Sequence, residues 1–210
     1  MSNTLQDLER FINEPQVEMD PIVRAALVHY QFETAHPFLD GNGRLGRLLI
    51  TLMLINDGVL HSCLFYPSFQ FKKNRSEYYR QLTSVRERGT YEEWIEFFCN
   101  SLLESAKDSV GSLKNLVDLH NRSTATITEN LGRTAANGQR LLSILEEHPI
   151  VDTAFIAAQL DIGRSTASSL VKSFEELGIL RPLDESRQRY RQYGYEEYLS
   201  ILREDAEPIR

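Results

Sequence analysis

The sequence predicts a mainly α-helical protein in which a helical bundle is followed by a small α+β domain. Apolar residues recur with a helical period over the first two-thirds of the 210-residue chain. Beyond residue 138 the pattern changes to three short helices with tight connections and two strands around a polar turn. A segment rich in Gly, Asn, Thr and Ala at residues 131–138 separates the two patterns. We therefore expect a first domain at 1–120, a linking helix and boundary at 121–138, and a second domain at 139–210.

The composition is that of an ordinary globular protein, with 41% hydrophobic and 25% charged residues. No apolar run reaches the roughly 18 residues of a membrane span, and the N-terminus lacks the regions of a signal peptide. Cys63 and Cys99 lie in apolar surroundings without metal-ligand spacing, which favours free thiols in a reducing cytoplasm. The net charge of −7 argues against non-specific nucleic-acid binding by the whole surface. We expect a cytoplasmic protein that does not bind membranes.

Start and stop signals predict the central helix of the first domain. It begins near Arg44 and ends at Asp57-Gly58. After its first turn it is apolar nearly all round, which predicts the buried centre of a bundle. Asp20-Pro21, an N-cap residue followed by proline, starts the preceding helix. Periodicity places the other helices of this domain at about residues 5–12, 21–34, 73–88 and 90–107.

The loop between the helix predicted at 21–34 and the helix that begins near Arg44 contains most of the candidate catalytic and binding residues. Residues 36–47 read His-Pro-Phe-Leu-Asp-Gly-Asn-Gly-Arg-Leu-Gly-Arg. Gly41 and Gly43 can bring backbone N–H groups against a ligand, and the helix N-terminus that follows favours an anion. Arg44 and Arg47 project from the same side of the first helical turn, where guanidinium groups bind phosphate oxygens.

Other polar residues of the loop complete a phosphate-handling set. Asp40 is placed to hold a Mg²⁺ ion that bridges phosphates, and Asn42 can point its amide at a phosphate oxygen. The imidazole of His36 suits a general base near neutral pH. A plain turn is the alternative for Asp-Gly-Asn-Gly alone. Two arginines at the start of an apolar helix favour a bound polyanion, because burying them unpaired is costly.

The same residues match every defined position of the Fic signature, H-x-F-x-D/E-G-N-G-R-x-x-R. The chain resembles a Fic-domain protein over about residues 5–120, including residues 29–33 before the motif and Asn74 and Tyr78-Tyr79 after it. The resemblance implies a Fic-type helical bundle that transfers AMP from ATP to a hydroxyl of a target protein. Gly41, Gly43 and Arg44 favour this branch over the Doc-type relatives that transfer phosphate.

The resemblance also implies a role for each motif residue. His36 would deprotonate the target's Ser, Thr or Tyr hydroxyl, Phe38 would anchor the loop in the core, and Asp40 would coordinate Mg²⁺. The protein itself is a second candidate target. Asn74 and Tyr79 would border the adenine pocket. The contacts to the phosphates of ATP would come from Gly41, Asn42, Gly43, Arg44, Gly46 and Arg47.

Two elements of the family are expected to be missing. The β-hairpin flap that aligns the target normally precedes the region of residues 5–12, and the chain starts too late to include it. The inhibitory pattern Ser/Thr-x-x-x-Glu-Gly/Asn is not found, since Glu129-Asn130 has Ala125 at the Ser/Thr position. We therefore expect productive ATP binding without a glutamate paired to Arg47. The alternative is a DNA- or protein-binding regulator whose Fic-like part only binds nucleotide.

The pattern of the second domain is typical of a winged helix-turn-helix. Helices are predicted at 139–147, 152–160 and 164–177, and strands at 178–180 and 188–193. The third of these helices could contact DNA or a protein partner, and so could the wing, which is the pair of predicted strands with the turn between them. An excess of acidic residues favours protein docking or a homodimer over DNA. The candidate contact residues are Arg164, Ser165, Thr166, Lys172 and Arg189.

Overall fold

The protein is mainly helical, with one three-stranded antiparallel sheet, as the sequence predicts. It divides into two compact units, Met1–Val110 and Gly111–Ala206. This division falls inside one continuous helix, so no change of composition marks it, and it lies earlier than the expected boundary at residue 120. None of the described helices combines the length and apolar character needed to cross a membrane. The computed structural model describes residues 2–14, 18–61, 65, 67–184 and 191–204.

Helices build the first unit. Asp20 caps the second helix as predicted, because its carboxylate accepts the backbone N–H groups of Ile22 and Val23. The third helix starts two residues earlier than predicted, since Gly41 adopts a left-handed conformation (φ 83°) and its carbonyl already accepts the Leu45 N–H. The helices are α1 (Ser2–Asn13), α2 (Pro21–Ala35), α3 (Asn42–Asn56), α4 (Ser68–Lys73), α5 (Arg75–Arg88) and α6 (Tyr91–Asn130), which continues into the second unit.

An aromatic cluster around Trp94 forms the core of the first unit. The Trp94 indole is fully buried and donates a hydrogen bond to the Ala26 carbonyl at 3.0 Å. The imidazole of His29 packs nearly parallel to the rings of Phe71 and Trp94, at centroid distances of 5.7 and 6.1 Å. Its Nε2 lies 3.0 Å from the Tyr78 hydroxyl. Side chains of α2, α4, α5 and α6 thus meet around one buried imidazole.

Helix α3 is not the fully buried centre of the bundle, so that prediction is wrong. Leu45, Leu48 and Leu52 are 42%, 53% and 50% exposed, whereas Ile50 and Leu54 are buried. The buried face packs against the rest of the first unit. Apolar composition shows that a helix can be buried, but it does not show how many of its faces have a neighbour.

The second unit has an apolar core of its own, which includes the fully buried Phe174. Strand β3 is central in the sheet and pairs antiparallel with β1 and β2. The sequence did not predict β1 or α10, because three-residue strands and a short acidic terminal helix carry weak periodic signals. After a 3₁₀ turn (Gly132–Thr134), the elements are α7 (Ala135–Glu147), β1 (Ile150–Asp152), α8 (Thr153–Leu160), α9 (Arg164–Glu176), β2 (Arg181–Pro182), β3 (Gln192–Gly194) and α10 (Glu196–Glu204).

The boundaries of two predicted strands differ from the structure. The first was expected at 178–180, but Gly178 lies in a turn with φ 73° and β2 begins only at Arg181. The second was expected at 188–193. Residues 185–190 lie outside the described part of the chain, and β3 occupies Gln192–Gly194.

The buried His29 predicts an acid-sensitive first unit. Burial, together with the Arg47 charge, lowers the pKa of His29 to about 4, so the folded unit holds it neutral. The unfolded chain takes up a proton below pH ~6.5, so the unit loses stability as the pH falls from there towards 4. Between pH ~7 and ~5 the wild type should lose about 2 kcal/mol more unfolding free energy than His29→Gln.

Urea unfolding followed by tryptophan fluorescence measures this difference, because Trp94 is the only tryptophan of the chain. His61→Ala, which alters an exposed histidine of the same unit, should keep the wild-type pH dependence. Equal pH dependence in the wild type and His29→Gln would contradict the assignment.

Candidate active site

The candidate loop starts with a strained residue. His36 follows the last residue of α2 and adopts the left-handed conformation (φ 45°, ψ 57°), and its N–H donates to the Phe32 carbonyl at 3.0 Å. Left-handed backbone is uncommon for residues other than glycine, and it is often found at functional sites. The imidazole is exposed, so a second molecule can reach it.

The side chain of Asn42 closes the loop. It is only 2% exposed, its Oδ1 accepts the Phe38 N–H at 2.9 Å, and its Nδ2 donates to the Phe38 carbonyl at 2.5 Å. Both polar atoms of the amide therefore hold the loop closed, and contact of this amide with a phosphate stays a prediction. The expected anchoring role of the Phe38 ring is wrong, because that residue is 51% exposed and its backbone is what is held.

The guanidinium groups of both motif arginines lie over the glycines of the loop. A Cβ atom added at Gly41 would lie 3.6 Å from Arg44 Nη2, and one at Gly43 would lie 3.1 Å from Arg47 Nη1. The first N–H groups of α3 have no acceptor within the helix, and no side chain of a described residue caps them. Free amides and two cations therefore converge at one point, which is the arrangement that binds a polyanion.

The carboxylate of Asp40 lies beside this anion site. Its side chain is 95% exposed, Oδ1 accepts the Gly41 N–H at 2.7 Å, and Oδ2 is 3.6 Å from Arg44 Nη2. In the described residues no three side chains of His, Cys, Asp or Glu group as metal ligands. Magnesium commonly takes only one or two protein carboxylates and completes its shell with phosphates and water. One accessible carboxylate at a phosphate site fits that requirement.

Residues outside the motif surround Arg47. Its Nε donates to the Ser68 hydroxyl at 3.1 Å, and no carboxylate of the described chain lies within salt-bridge distance of it. Glu33 is half-buried, and its Oε1 is buried without a hydrogen-bond partner. Burial raises the pKa of Glu33, and the charges of Arg47 and His36 oppose this rise.

Sequence reasoning missed the roles of both residues. Ser68 stands 21 residues beyond Arg47 in another helix, and no spacing rule connects the two. In the sequence, Glu33 belongs to the segment 29–33 that precedes the motif. Its place one helical turn before His36 was a usable signal, because residues three apart share a helix face.

Gly46 serves helix packing. It is buried, and a Cβ added there would lie 2.5 Å from Glu33 Oε1 and 3.2 Å from the His29 ring. Contact of Gly46 with nucleotide stays a prediction. The missing side chain allows α3 to approach α2 closely at this position.

The two residues expected at the adenine pocket lie around the start of α5. Asn74 Nδ2 donates to the Gln70 carbonyl at 3.1 Å, so it caps the end of α4. Tyr79 is 53% exposed, and the Arg75 guanidinium lies 5.7 Å from its ring centroid. An accessible ring beside a cation can stack on a base. Contact of either residue with adenine stays a prediction.

The candidate contact residues of the second unit share an exposed face of α9. Arg164, Ser165 and Thr166 form its first turn, and Lys172 lies 3.8 Å from Glu176 in an exposed pair. Arg189 lies outside the described residues. Solvent-exposed pairs of this kind contribute little to stability, so Lys172 is free to exchange partners.

Known proteins are similar to the chain in sequence. Residues 1–54 match the Fic/DOC family. "Protein adenylyltransferase fic-1" of Caenorhabditis briggsae is 34% identical over 111 residues, covering 52% of this chain and 20% of that protein. "Protein adenylyltransferase Fic" of Drosophila ananassae is 36% identical over 97 residues, covering 46% and 18%. The chain spans about a fifth of the length of these curated relatives.

One solved structure supports the fold over most of the chain. The crystal structure of a Fic family protein from Desulfovibrio desulfuricans G20 aligns with a TM-score of 0.50 at 21% identity. The alignment covers 92% of this chain and 54% of the other. The chain therefore resembles a Fic family protein in fold, and its residues 1–54, which include the complete motif, match the Fic/DOC family in sequence.

Proposed function

We propose that the protein is an adenylyltransferase that moves AMP from ATP to a hydroxyl of a target protein. The observation that carries the proposal is the convergence of two guanidinium groups and the free amides of α3 over Gly41 and Gly43. An exposed imidazole stands at the other end of the same loop. The relatives named protein adenylyltransferase, at 34% and 36% identity, support this choice of reaction.

The proposed reaction is an in-line displacement at the α-phosphorus. The imidazole of His36 accepts the proton of the target hydroxyl, and the hydroxyl oxygen forms a bond to the α-phosphorus. The bond from the α-phosphorus to the bridging oxygen breaks, and pyrophosphate leaves. Arg44, Arg47 and the α3 amides bind the β- and γ-phosphates, so they stabilise the charge that develops on the leaving group.

The proposal includes Mg²⁺, which Asp40 would hold. When bound, the ion supplies further neutralisation of phosphate charge. The target class is a protein with an accessible Ser, Thr or Tyr hydroxyl, and the protein itself is included. A cytoplasmic location stays a prediction from the sequence.

For the second unit we propose a winged helix-turn-helix that docks a protein or a second copy of the chain. The turn between α8 and α9 is tight, with Asp161 left-handed (φ 53°) and the Ile162 N–H donating to the Ala157 carbonyl. Strands β2 and β3 then form the wing. The exposed first turn of α9 also fits DNA, but the acidic charge of the chain favours a protein partner.

Replacing the proposed base should strongly reduce AMP transfer and leave ATP binding nearly unchanged. In His36→Ala, AMP transfer should fall about 100- to 10,000-fold, because a general base contributes that much. The dissociation constant for ATP should change by less than about twofold, since the imidazole is not assigned to the phosphates. Transfer of labelled AMP to lysate proteins and calorimetric titration with ATP measure the two effects.

The control is His61→Ala, an exposed histidine of the same unit. It should transfer AMP at the wild-type rate. Wild-type transfer by His36→Ala would rule out its role as the base.

Removing one cation of the anion site should weaken nucleotide binding. Arg44→Ala should raise the dissociation constant for ATP about 10- to 100-fold, because a hydrogen bond to a charged group is lost. The matched control, Arg86→Ala, removes an exposed arginine of α5 and should leave ATP binding unchanged. Unchanged affinity in Arg44→Ala, measured by calorimetry, would contradict the anion-site assignment.

The docking proposal predicts weak interaction with DNA. At about 50 mM salt the protein should not shift mixed-sequence duplex DNA in a gel, and Arg164→Ala should behave like the wild type. A shift that weakens steeply as salt is raised, and that Arg164→Ala reduces, would instead assign α9 to DNA.

A further inference from the structure

Helix α4 is held firmly against the first unit although it is only six residues long. Phe71 is 2% exposed and its ring lies 5.7 Å from that of His29. Gln70 is 3% exposed and donates Nε2 to Asp108 Oδ2 at 2.6 Å. Two buried side chains therefore fix α4, and they also fix the position of its first residue, Ser68.

The hydroxyl of Ser68 meets the second arginine of the motif. Its Oγ accepts the Nε–H of Arg47 at 3.1 Å in a partly buried hydrogen bond. At the far end of the same planar group, Nη1 lies 3.1 Å from the position of a Cβ on Gly43. A guanidinium group is rigid and planar, so the bond at Nε restrains the orientation of the whole group beside Gly43. The two terminal amino groups stay available for phosphate oxygens.

A competing position for the guanidinium lies nearby. Glu33 carries an Oε1 that is buried and has no hydrogen-bond partner, and its charge acts on Arg47. A buried carboxylate oxygen without a partner gains strongly from a guanidinium donor. Without another restraint, Arg47 would be drawn towards Glu33 and away from the ligand. The bond to Ser68 opposes that movement.

We propose that Ser68 is a positioning residue that holds Arg47 over Gly43 and directs its terminal amino groups at the phosphates of ATP. The assignment rests on the proposed function, because it needs ATP at this site. Ser68 itself does not touch the reacting atoms. It acts through Arg47 alone, so its loss should affect only the phosphates that Arg47 binds.

Binding of ATP and AMP to the full chain tests the proposal. Calorimetry with Mg²⁺ is performed on the wild type, Ser68→Ala, Ser68→Thr and Arg47→Ala, and on the double variant that combines Ser68→Ala with Arg47→Ala. Ser68→Ala should weaken ATP binding about three- to tenfold, the effect of one lost hydrogen bond, and should leave AMP binding unchanged. Ser68→Thr keeps the hydroxyl and should retain wild-type affinity. In the Arg47→Ala background, Ser68→Ala should have no further effect.

The control is Ser109→Ala, whose hydroxyl donates to the Ser105 carbonyl within its own helix. It should bind both nucleotides normally. Unfolding followed by Trp94 fluorescence checks that each variant folds. Equal weakening of ATP and AMP, or an undiminished effect of Ser68→Ala in the Arg47→Ala background, would overturn the positioning role.

The same data separate this assignment from the proposed function. A wild type that binds no ATP overturns both. Tight ATP binding that Arg47→Ala weakens, but Ser68→Ala does not, overturns only the role of Ser68.

Discussion

The close contact between α2 and α3 at Gly46 is the constraint on which the candidate site depends. A methyl group there would lie 2.5 Å from a carboxylate oxygen of Glu33 and 3.2 Å from the His29 ring, so any larger residue would displace these side chains. This contact fixes the first turn of α3, and that turn carries Arg44 and Arg47. It also encloses His29, whose neutral imidazole joins the turn to the aromatic core. The position of the cations and the stability of the core are therefore coupled.

Within this frame, the loop holds its shape through polar contacts of its own. Asn42 binds both backbone groups of Phe38, so the turn does not need an apolar anchor. The groups of this loop and helix start that have no role in closing the turn are the first main-chain amides of α3 and the two guanidinium groups, and these are available to bind phosphate. Backbone amides fixed by a helix need no rearrangement when an anion arrives, which is the property that makes such a site effective in catalysis.

The sequence predicts which residues of this site can bind phosphate better than it predicts which contacts hold them in place. Gly41, Arg44 and Arg47 could be placed because local backbone rules govern a glycine turn and a helix start. The burial of Asn42 and the exposure of Phe38 could not be predicted, because burial in a loop depends on neighbours that periodicity does not reveal. Ser68 could not be found, since its contact with Arg47 joins helices that are distant in sequence. In the fold, α2 and α5 were predicted to within a few residues, but α6 continues to Asn130, far beyond the predicted end at residue 107. The short elements α4 and β1 were missed.

The left-handed backbone of His36 has a consequence for how this position can evolve. Glycine adopts that conformation freely, so replacing the histidine with glycine would relieve strain at the end of α2. The most stable residue for the position and the one that can accept a proton are therefore different. A lineage that no longer used the reaction would be free to drift towards the more stable choice. The histidine at the end of α2 therefore stands against the local preference of the backbone.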